Sequence, residues 1–180
     1  MGQLKRKKDM AQQPMEFAAF YRDAKDGCLR AVFASTGNRQ LSEDLVSEAF
    51  AKAFSSWAKV ARHPVPQAWV VRTALNAHIS WWRRRRREVP WTAHLESVQL
   101  GTATGAEDSW ADATVMAALR ELPERQRQVV ALRIFLDLDT ETTAQTLGIA
   151  PGTVTAHLAR ATSALRNSLA TSIKQETSYR

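Results

Sequence analysis

The chain has 180 residues, 44% of them hydrophobic, which suits one folded domain or two small ones. Its formal net charge of +7 suits a polyanionic partner or an acidic surface. A single cysteine, Cys28, excludes an intramolecular disulfide and a cysteine-based zinc site. No apolar run is long enough to cross a bilayer, and the early "KRKK" is not followed by the apolar stretch of a signal peptide, so a soluble cytoplasmic protein is expected.

Residues 1–14 are polar and basic, close at Pro14, and read as a mobile tail with Lys5 to Lys8 solvated. From Met15 to Trp57 the pattern is helical. Phe17, Phe20, Tyr21, Leu29, Val32 and Phe33 recur at helical spacing, Cys28 reads as a small buried apolar residue, and "STGN" makes a break. Ser42 then reads as an N-cap with Glu43 and Asp44 in the first turn, where the helix dipole favours anions. Leu45, Ala49, Phe50, Ala53, Phe54 and Trp57 form the apolar stripe of that helix. From pattern alone, its acidic start is as readily a solvated face as a binding face.

Residues 62–67 ("RHPVPQ") must be a loop, because two prolines stand two residues apart. A long helix runs from Gln67 into the arginine run and ends at Pro90, carrying Trp69, Trp81, Trp82 and six arginines. Arginines neutralise phosphates, and aromatic faces stack on bases that have left a duplex. Trp69 and at least one of Trp81 and Trp82 are assigned to the core. Five adjacent cations repel one another, so Arg83 to Arg87 point to a polyanion. Residues 90–111 form a flexible linker; from Glu88 to Leu119 there are five acidic residues and no Lys or Arg. Helix resumes at Asp112, with Leu119, Leu122, Val129, Val130, Leu132 and Ile134 as its apolar positions.

The sequence "LGIAPGTVTAHLARATSALR" reads as a short helix, a tight turn at Gly148 and a second helix opened by Pro151, whose missing N–H would have no partner at that position. Ile149, Val154, Leu158 and Leu165 supply the inner face. This is the layout of a helix-turn-helix, whose second helix enters the major groove. Thr153, Thr155, Ala156, His157 and Arg160 are the side chains placed to reach base edges or phosphates. The four histidines have no metal-ligand spacing, and no phosphate loop or nucleophile motif occurs. No enzymatic activity, metal or cofactor is expected.

"LSEDLVSEAFAKAFSSW", "PQAWVVRTALNAHISWWRRRRR" and "LRELPERQRQVVALRIFLDLD", followed by the helix-turn-helix, resemble in order and spacing the bacterial extracytoplasmic-function sigma factors of the sigma-70 family. The resemblance implies an all-α fold: a sigma-2-like helical bundle at residues 15–89 and a sigma-4-like helix-turn-helix domain at 112–172, with a short tail at 173–180. It implies that Glu43, Asp44, Ser47 and Glu48 meet the clamp helices of core RNA polymerase, with Ser47 standing where the family often has Gln. It implies that Arg62, His63, Gln67, Arg72, Asn76, Arg83, Arg84, Arg85, Arg86 and Arg87 handle the −10 promoter element, one base of which is flipped. The second domain would dock on the polymerase flap and read the −35 element through Thr153, Thr155, Ala156, His157 and Arg160. Thr155 and Ala156 replace a common Lys or Arg followed by Ser, Ala150 replaces a frequent Ser cap, and Thr142 and Thr143 replace a frequent Glu-Ile pair. The acidic linker would mimic a nucleic-acid strand in the basic channel of polymerase. An anti-sigma partner is common in the family, and no small-molecule substrate is implied. The rival reading is a stand-alone helix-turn-helix regulator that binds DNA as a dimer.

Overall fold

The computed structural model describes the backbone of residues 2–88 and 113–178 and the side chains of residues 13–80 and 113–171. Among the described residues all regular structure is helical. The first unit contains α1 (Gly2–Thr36), α2 (Arg39–Ser55), α3 (Trp57–Val60) and α4 (Pro66–Glu88). The second contains α5 (Ala113–Glu121), α6 (Glu124–Val130), a π-helical turn (Ala131–Phe135), α7 (Thr140–Leu147) and α8 (Pro151–Ser178). The linker expected at residues 90–111, with its strand mimicry, lies outside the described residues, as does the side-chain role assigned to Trp81 and Trp82.

Helix α1 begins at Gly2, so the segment expected to be a tail is helical. Lys, Met, Ala and Gln before Pro14 are strong helix formers, and the helix runs through the proline, which withdraws one N–H. Helix α1 ends at Gly37, whose φ of 69° lets its N–H reach back to the Phe33 carbonyl at 2.8 Å. The next N-cap is Asn38, not Ser42. Asn38 has extended backbone and its side chain accepts the Leu41 N–H at 2.9 Å. Ser42 lies one turn further in, fully buried, with its hydroxyl 2.6 Å from both the Asn38 carbonyl and the Thr36 hydroxyl. An Asx cap outcompetes a serine that sits where the helix is already hydrogen-bonded.

The first unit is built around an aromatic cluster. Phe17 faces Phe54 at 4.9 Å and Trp57 at 5.3 Å between ring centroids, and Tyr21 meets Phe50 edge-on at 4.9 Å. Val32, Val60, Val70 and Val71 are fully buried beside it, with Cys28. Burial pushes the Cys28 thiol up to about 12, the behaviour of a core residue. Trp69 is half-buried against the same core.

The second unit is smaller. Val129, Ala144 and Val154 form one buried cluster, and Met116, Leu119, Leu122, Val130 and Ala161 another. Ile134, expected inside, is 62% exposed. The π-helical turn over Ala131–Phe135 adds a residue to the local repeat and rotates Ile134 outward, while Leu132 stays fully buried.

The two units pack on each other, which their periodicity did not disclose. Ala131, Leu132 and Leu138 of the second unit are buried in the core of the first. Phe33 and Ala34 of α1 are buried in a cluster of the second. Gly27 faces Leu136, which a Cβ there would meet at 3.7 Å.

Candidate nucleic-acid interface

The polar start of α2 presents Asp44, Ser47 and Glu48 exposed and Glu43 half-buried. Positions 43 and 47, and 44 and 48, are each one turn apart, so the four residues lie on one side of the helix. Each carboxylate has a neighbour one turn away: Arg39 bonds Glu43 at 2.9 Å, Gln40 reaches Asp44 at 3.4 Å, and Lys52 bonds Glu48 at 2.6 Å. Solvated pairs of this kind stabilise little, so the acidic edge stays available for exchange with another partner.

The loop at residues 61–65 is held from within. His63 places Nδ1 2.8 Å from the Val65 carbonyl and 3.1 Å from the Val65 amide, and its tautomer decides which of the two it serves. Pro66 then opens α4 at the position where a missing N–H has no consequence. Arg62 is exposed, and Gln67 is half-buried, with its carbonyl accepting from the Cys28 thiol at 3.9 Å. Arg72 and Asn76, one turn apart on α4, are both exposed while Val70, Val71, Ala74 and Leu75 of that helix are buried. An apolar inner face thus forces these two polar side chains outward. The backbone remains helical through Arg83, Arg84, Arg85, Arg86 and Arg87, whose side chains lie outside those described.

In the second unit Asp139 caps α7, accepting the Thr142 amide at 2.7 Å and the Thr142 hydroxyl at 2.9 Å. Those bonds hold its carboxyl below the usual carboxylate range. Thr143 is fully buried and donates to the Asp139 carbonyl at 2.8 Å, so its hydroxyl is satisfied where an aliphatic side chain is frequent in the family. Arg133 donates to the Leu138 carbonyl and closes the loop before α7. Gly148, at φ 65°, ends α7, and the Gly148 and Ile149 amides share the Ala144 carbonyl.

Helix α8 starts at Pro151 without a serine cap; the Ala150 carbonyl accepts the Thr153 and Val154 amides. Val154 is fully buried, and Leu158 and Leu165 are half-buried. Thr153, Ala156, His157 and Arg160 fall at helical spacing on one face, with Thr153 and Arg160 exposed. Thr155 is exposed on another side and its hydroxyl donates to the Pro151 carbonyl at 3.2 Å. His157 is half-buried, with Nδ1 enclosed and lacking a hydrogen-bond partner, so its ring is turned partly inward. The sequence reading missed Arg120, Arg127 and Arg133, whose guanidinium groups hold backbone carbonyls. Arg120 and Arg127 stand in a polar run, residues 120–128, where nothing in the pattern separates them from solvated neighbours such as Arg125.

Residues 20–88 match the family model described as Sigma-70 region 2, and residues 113–165 match Sigma-70, region 4. The chain is 33% identical over 164 residues to the RNA polymerase sigma-E factor of Streptomyces antibioticus, covering 90% of this chain and 89% of that one. It is 32% identical over 156 residues to the sigma-E factor of Streptomyces coelicolor, with 86% of each covered. Its fold is similar to that of the sigma factor RpoE crystallised with the anti-sigma factor NepR from Bartonella quintana, with TM-score 0.73, 20% identity, and 86% and 96% of the chains covered. An all-helical pair of units, the earlier carrying an arginine-rich helix and the later a helix-turn-helix, with these matches over both, places the chain in the sigma-70 family: it is an RNA polymerase sigma factor of the extracytoplasmic-function, sigma-E type, which binds core polymerase and directs promoter-specific initiation.

Proposed function

We propose that the two units divide the promoter between them. Helix α4 and the preceding loop take the −10 element, and the exposed face of α8 takes the −35 element. The observation that carries this is the outward pair Arg72 and Asn76 on a helix whose opposite face is fully buried. Asn pairs bidentately with a base edge, and the loop pinned by His63 stands at the N-terminal end of the same helix. Unstacking a base costs a few kcal/mol, which a preformed pocket on a rigid helix can offset.

Residues 83–87 would grip the adjoining backbone. On α8, Thr153 and Arg160 supply the reachable polar contacts, Ala156 a small apolar one, and His157 a reduced one because of its partial burial; Thr155 would face the flanking backbone. Glu43, Asp44, Ser47 and Glu48 would exchange their intrahelical partners for basic groups on the polymerase clamp, and the second unit would dock on the flap. Sigma factors as a family are non-enzymatic, and this chain's own contribution is binding and melting alone. It would act in the cytoplasm; among the described residues no helix is long and apolar enough to cross a membrane. The Bartonella relative assembles with an anti-sigma factor, and a partner of that kind would restrain this protein too.

Run-off transcription with purified core polymerase tests the reading. Start sites should appear only when the chain is added, and Arg72→Ala with Asn76→Ala should abolish strand opening while leaving polymerase binding intact. Full promoter binding by the chain without polymerase would favour a stand-alone regulator instead.

A further inference from the structure

Helix α1 outruns the unit it belongs to. It begins at Gly2, yet Phe17 is the first of its described side chains to pack on the core, and Pro14, Met15 and Glu16 just before it are exposed. At ~1.5 Å per residue, the helix extends about 20 Å beyond that contact. Residues 2–15 carry Lys5, Arg6, Lys7 and Lys8 in succession, against Asp9 as their one acid. Four consecutive positions fill a turn, so this charge is spread round the helix. The register that aligns Leu4 with Ala11 also holds Lys8, so there is no unbroken apolar stripe to lay on a lipid surface. The extension projects from the end of the unit that carries the loop. Phe17 meets Trp57 of α3 at 5.3 Å between ring centroids, and α3 runs directly into the loop at residues 61–65. Gln67, at the start of α4, lies beside Cys28 of α1, with its carbonyl 3.9 Å from the thiol sulfur. His78, three turns further along α4, is within electrostatic reach of Arg127, which is bonded to the Ser35 carbonyl. Helices α1 and α4 therefore run in the same sense, and the first turns of α1 pass beyond the end where α4 begins.

We propose that the first turns of α1 are a DNA-binding arm, in which Lys5, Arg6, Lys7 and Lys8 hold the phosphate backbone of the promoter strand where it leaves the loop at residues 61–65. The arginines at 83–87 stand at the other end of α4, so two basic segments bracket the −10 face. Holding the backbone on both sides of a captured base opposes its return to the stack, which a contact on one side does not. The reach is sufficient: with a phosphate every ~3.4 Å along each strand, about 20 Å of helix spans several of them. Lysine suits the task, because a compact charge on a flexible stem finds a phosphate without a fixed geometry. The arm serves affinity and strand holding, not base choice, since phosphates carry no sequence information. It rests on the assignment of α4 to the −10 element proposed above.

The test uses holoenzyme, assembled from the full chain and core polymerase, on premelted promoter templates that need no strand opening. Lys5→Gln, Arg6→Gln, Lys7→Gln and Lys8→Gln together remove the charge while keeping good helix formers. This variant should bind core polymerase as the wild type does. Its slope of log affinity against log salt should be shallower by about two to three, at ~0.7 per phosphate on a single strand. Trimming the unpaired strand just past the −10 element should weaken the wild-type holoenzyme about tenfold or more and the glutamine variant hardly at all. Lys5→Arg, Lys7→Arg and Lys8→Arg together should behave as the wild type, because the charge suffices. An unchanged salt slope overturns the proposal, as do losses from trimming and from the glutamine variant that simply add. So does binding to phosphatidylserine-containing vesicles that the glutamine variant loses while its promoter salt slope stays unchanged, which would give the arm to a lipid surface. Asn76→Ala on the same templates reads the −10 assignment separately. Base preference lost in Asn76→Ala beside an unchanged slope in the glutamine variant is failure of the arm alone. A strand-length effect of the arm with no effect of Asn76→Ala is failure of the −10 assignment alone.

Discussion

The two units are held together by different physics. The first stacks large side chains: α1, α2 and α3 bring Phe17, Phe20, Tyr21, Phe50, Phe54 and Trp57 into one network, and α4 closes it with a valine-rich face. The second sets three short helices, α5, α6 and α7, against the long α8, with a buried cluster of Val129, Ala144 and Val154 beneath its helix-turn-helix. Short helices gain little from propensity and small units bury little surface. The second unit therefore depends on polar devices: the Asp139 cap, the left-handed Gly148, the buried Thr143 and Thr146 hydroxyls bonded to carbonyls one turn back, and the Arg133 loop closure. It also leans on its neighbour, since Leu132 and Leu138 are buried among residues of the first unit.

Leu132 belongs by sequence to one unit and by packing to the other. Leu132→Ala should lower stability by about 3 kcal/mol and loosen both units in one transition by differential scanning calorimetry. Val154→Ala should cost about 1–3 kcal/mol, confined to the helix-turn-helix in hydrogen exchange. If Leu132→Ala leaves protection in α1 untouched, the units are energetically separate and the asymmetry described above is wrong.

The contrast also explains what could be read from the sequence. The aromatic spacing of α1 and α2, the prolines before α4 and the Gly148 turn are local signals, each tied to one helix, and the structure has them, although α4 takes in Pro66 and Gln67 from the expected loop and Phe54 of the expected stripe is exposed. Asn38 was missed as a cap because Ser42 has the same chemistry four residues on, and only burial of Ser42 separates them. Ile134 was misplaced because a π-helical turn breaks the period that assigned it. The packing of the units was invisible because its polar part is arginine side chains on carbonyls, and a carbonyl carries no residue identity. Of the candidate site, exposure of Arg72, Asn76 and Arg160 follows from the buried faces opposite them. The partial burial of His157 does not, because it depends on how α8 is rotated against the clusters below.

The two proposed DNA faces should respond differently to truncation. Asn76→Ala should cost about 1–3 kcal/mol, roughly ten- to a hundredfold, at one promoter position, read as relaxed base preference in run-off assays. Arg160→Ala should weaken binding more evenly across sequences and reduce the slope of log affinity against log salt by about one, if it holds a phosphate. A uniform loss from Asn76→Ala, or a base-specific loss from Arg160→Ala, would exchange the two roles.

The dependence of the second unit on polar caps should appear as sensitivity to acid. The Asp139 carboxyl is held below its ordinary value of 3.8 chiefly by the Thr142 amide and hydroxyl. A depressed carboxylate gives stability that is present above the unfolded value and lost as pH falls through the folded one. Thermal melts of the wild type should therefore lose helix-turn-helix protection as pH falls below about 4, and Asp139→Ala should lack that part of the acid dependence while being less stable at neutral pH.

The smallest expected effect lies between the units, at His78 on α4. Its pKa is lowered from 6.5, first by burial and then by the Arg127 guanidinium, with Glu124 acting in the opposite direction. For a histidine whose folded pKa is depressed, the unfolded chain binds more protons in the window between the two values, so stability rises with pH there. Acidification below 6.5 should favour the unfolded chain at this histidine and loosen the contact of α4 with the second unit before either unit melts. Hydrogen exchange of the α4 amides around His78 should quicken over that range, and His78→Gln should flatten the response. Quickening that persists in His78→Gln would assign the pH dependence to another group and leave the contact between units insensitive to this histidine.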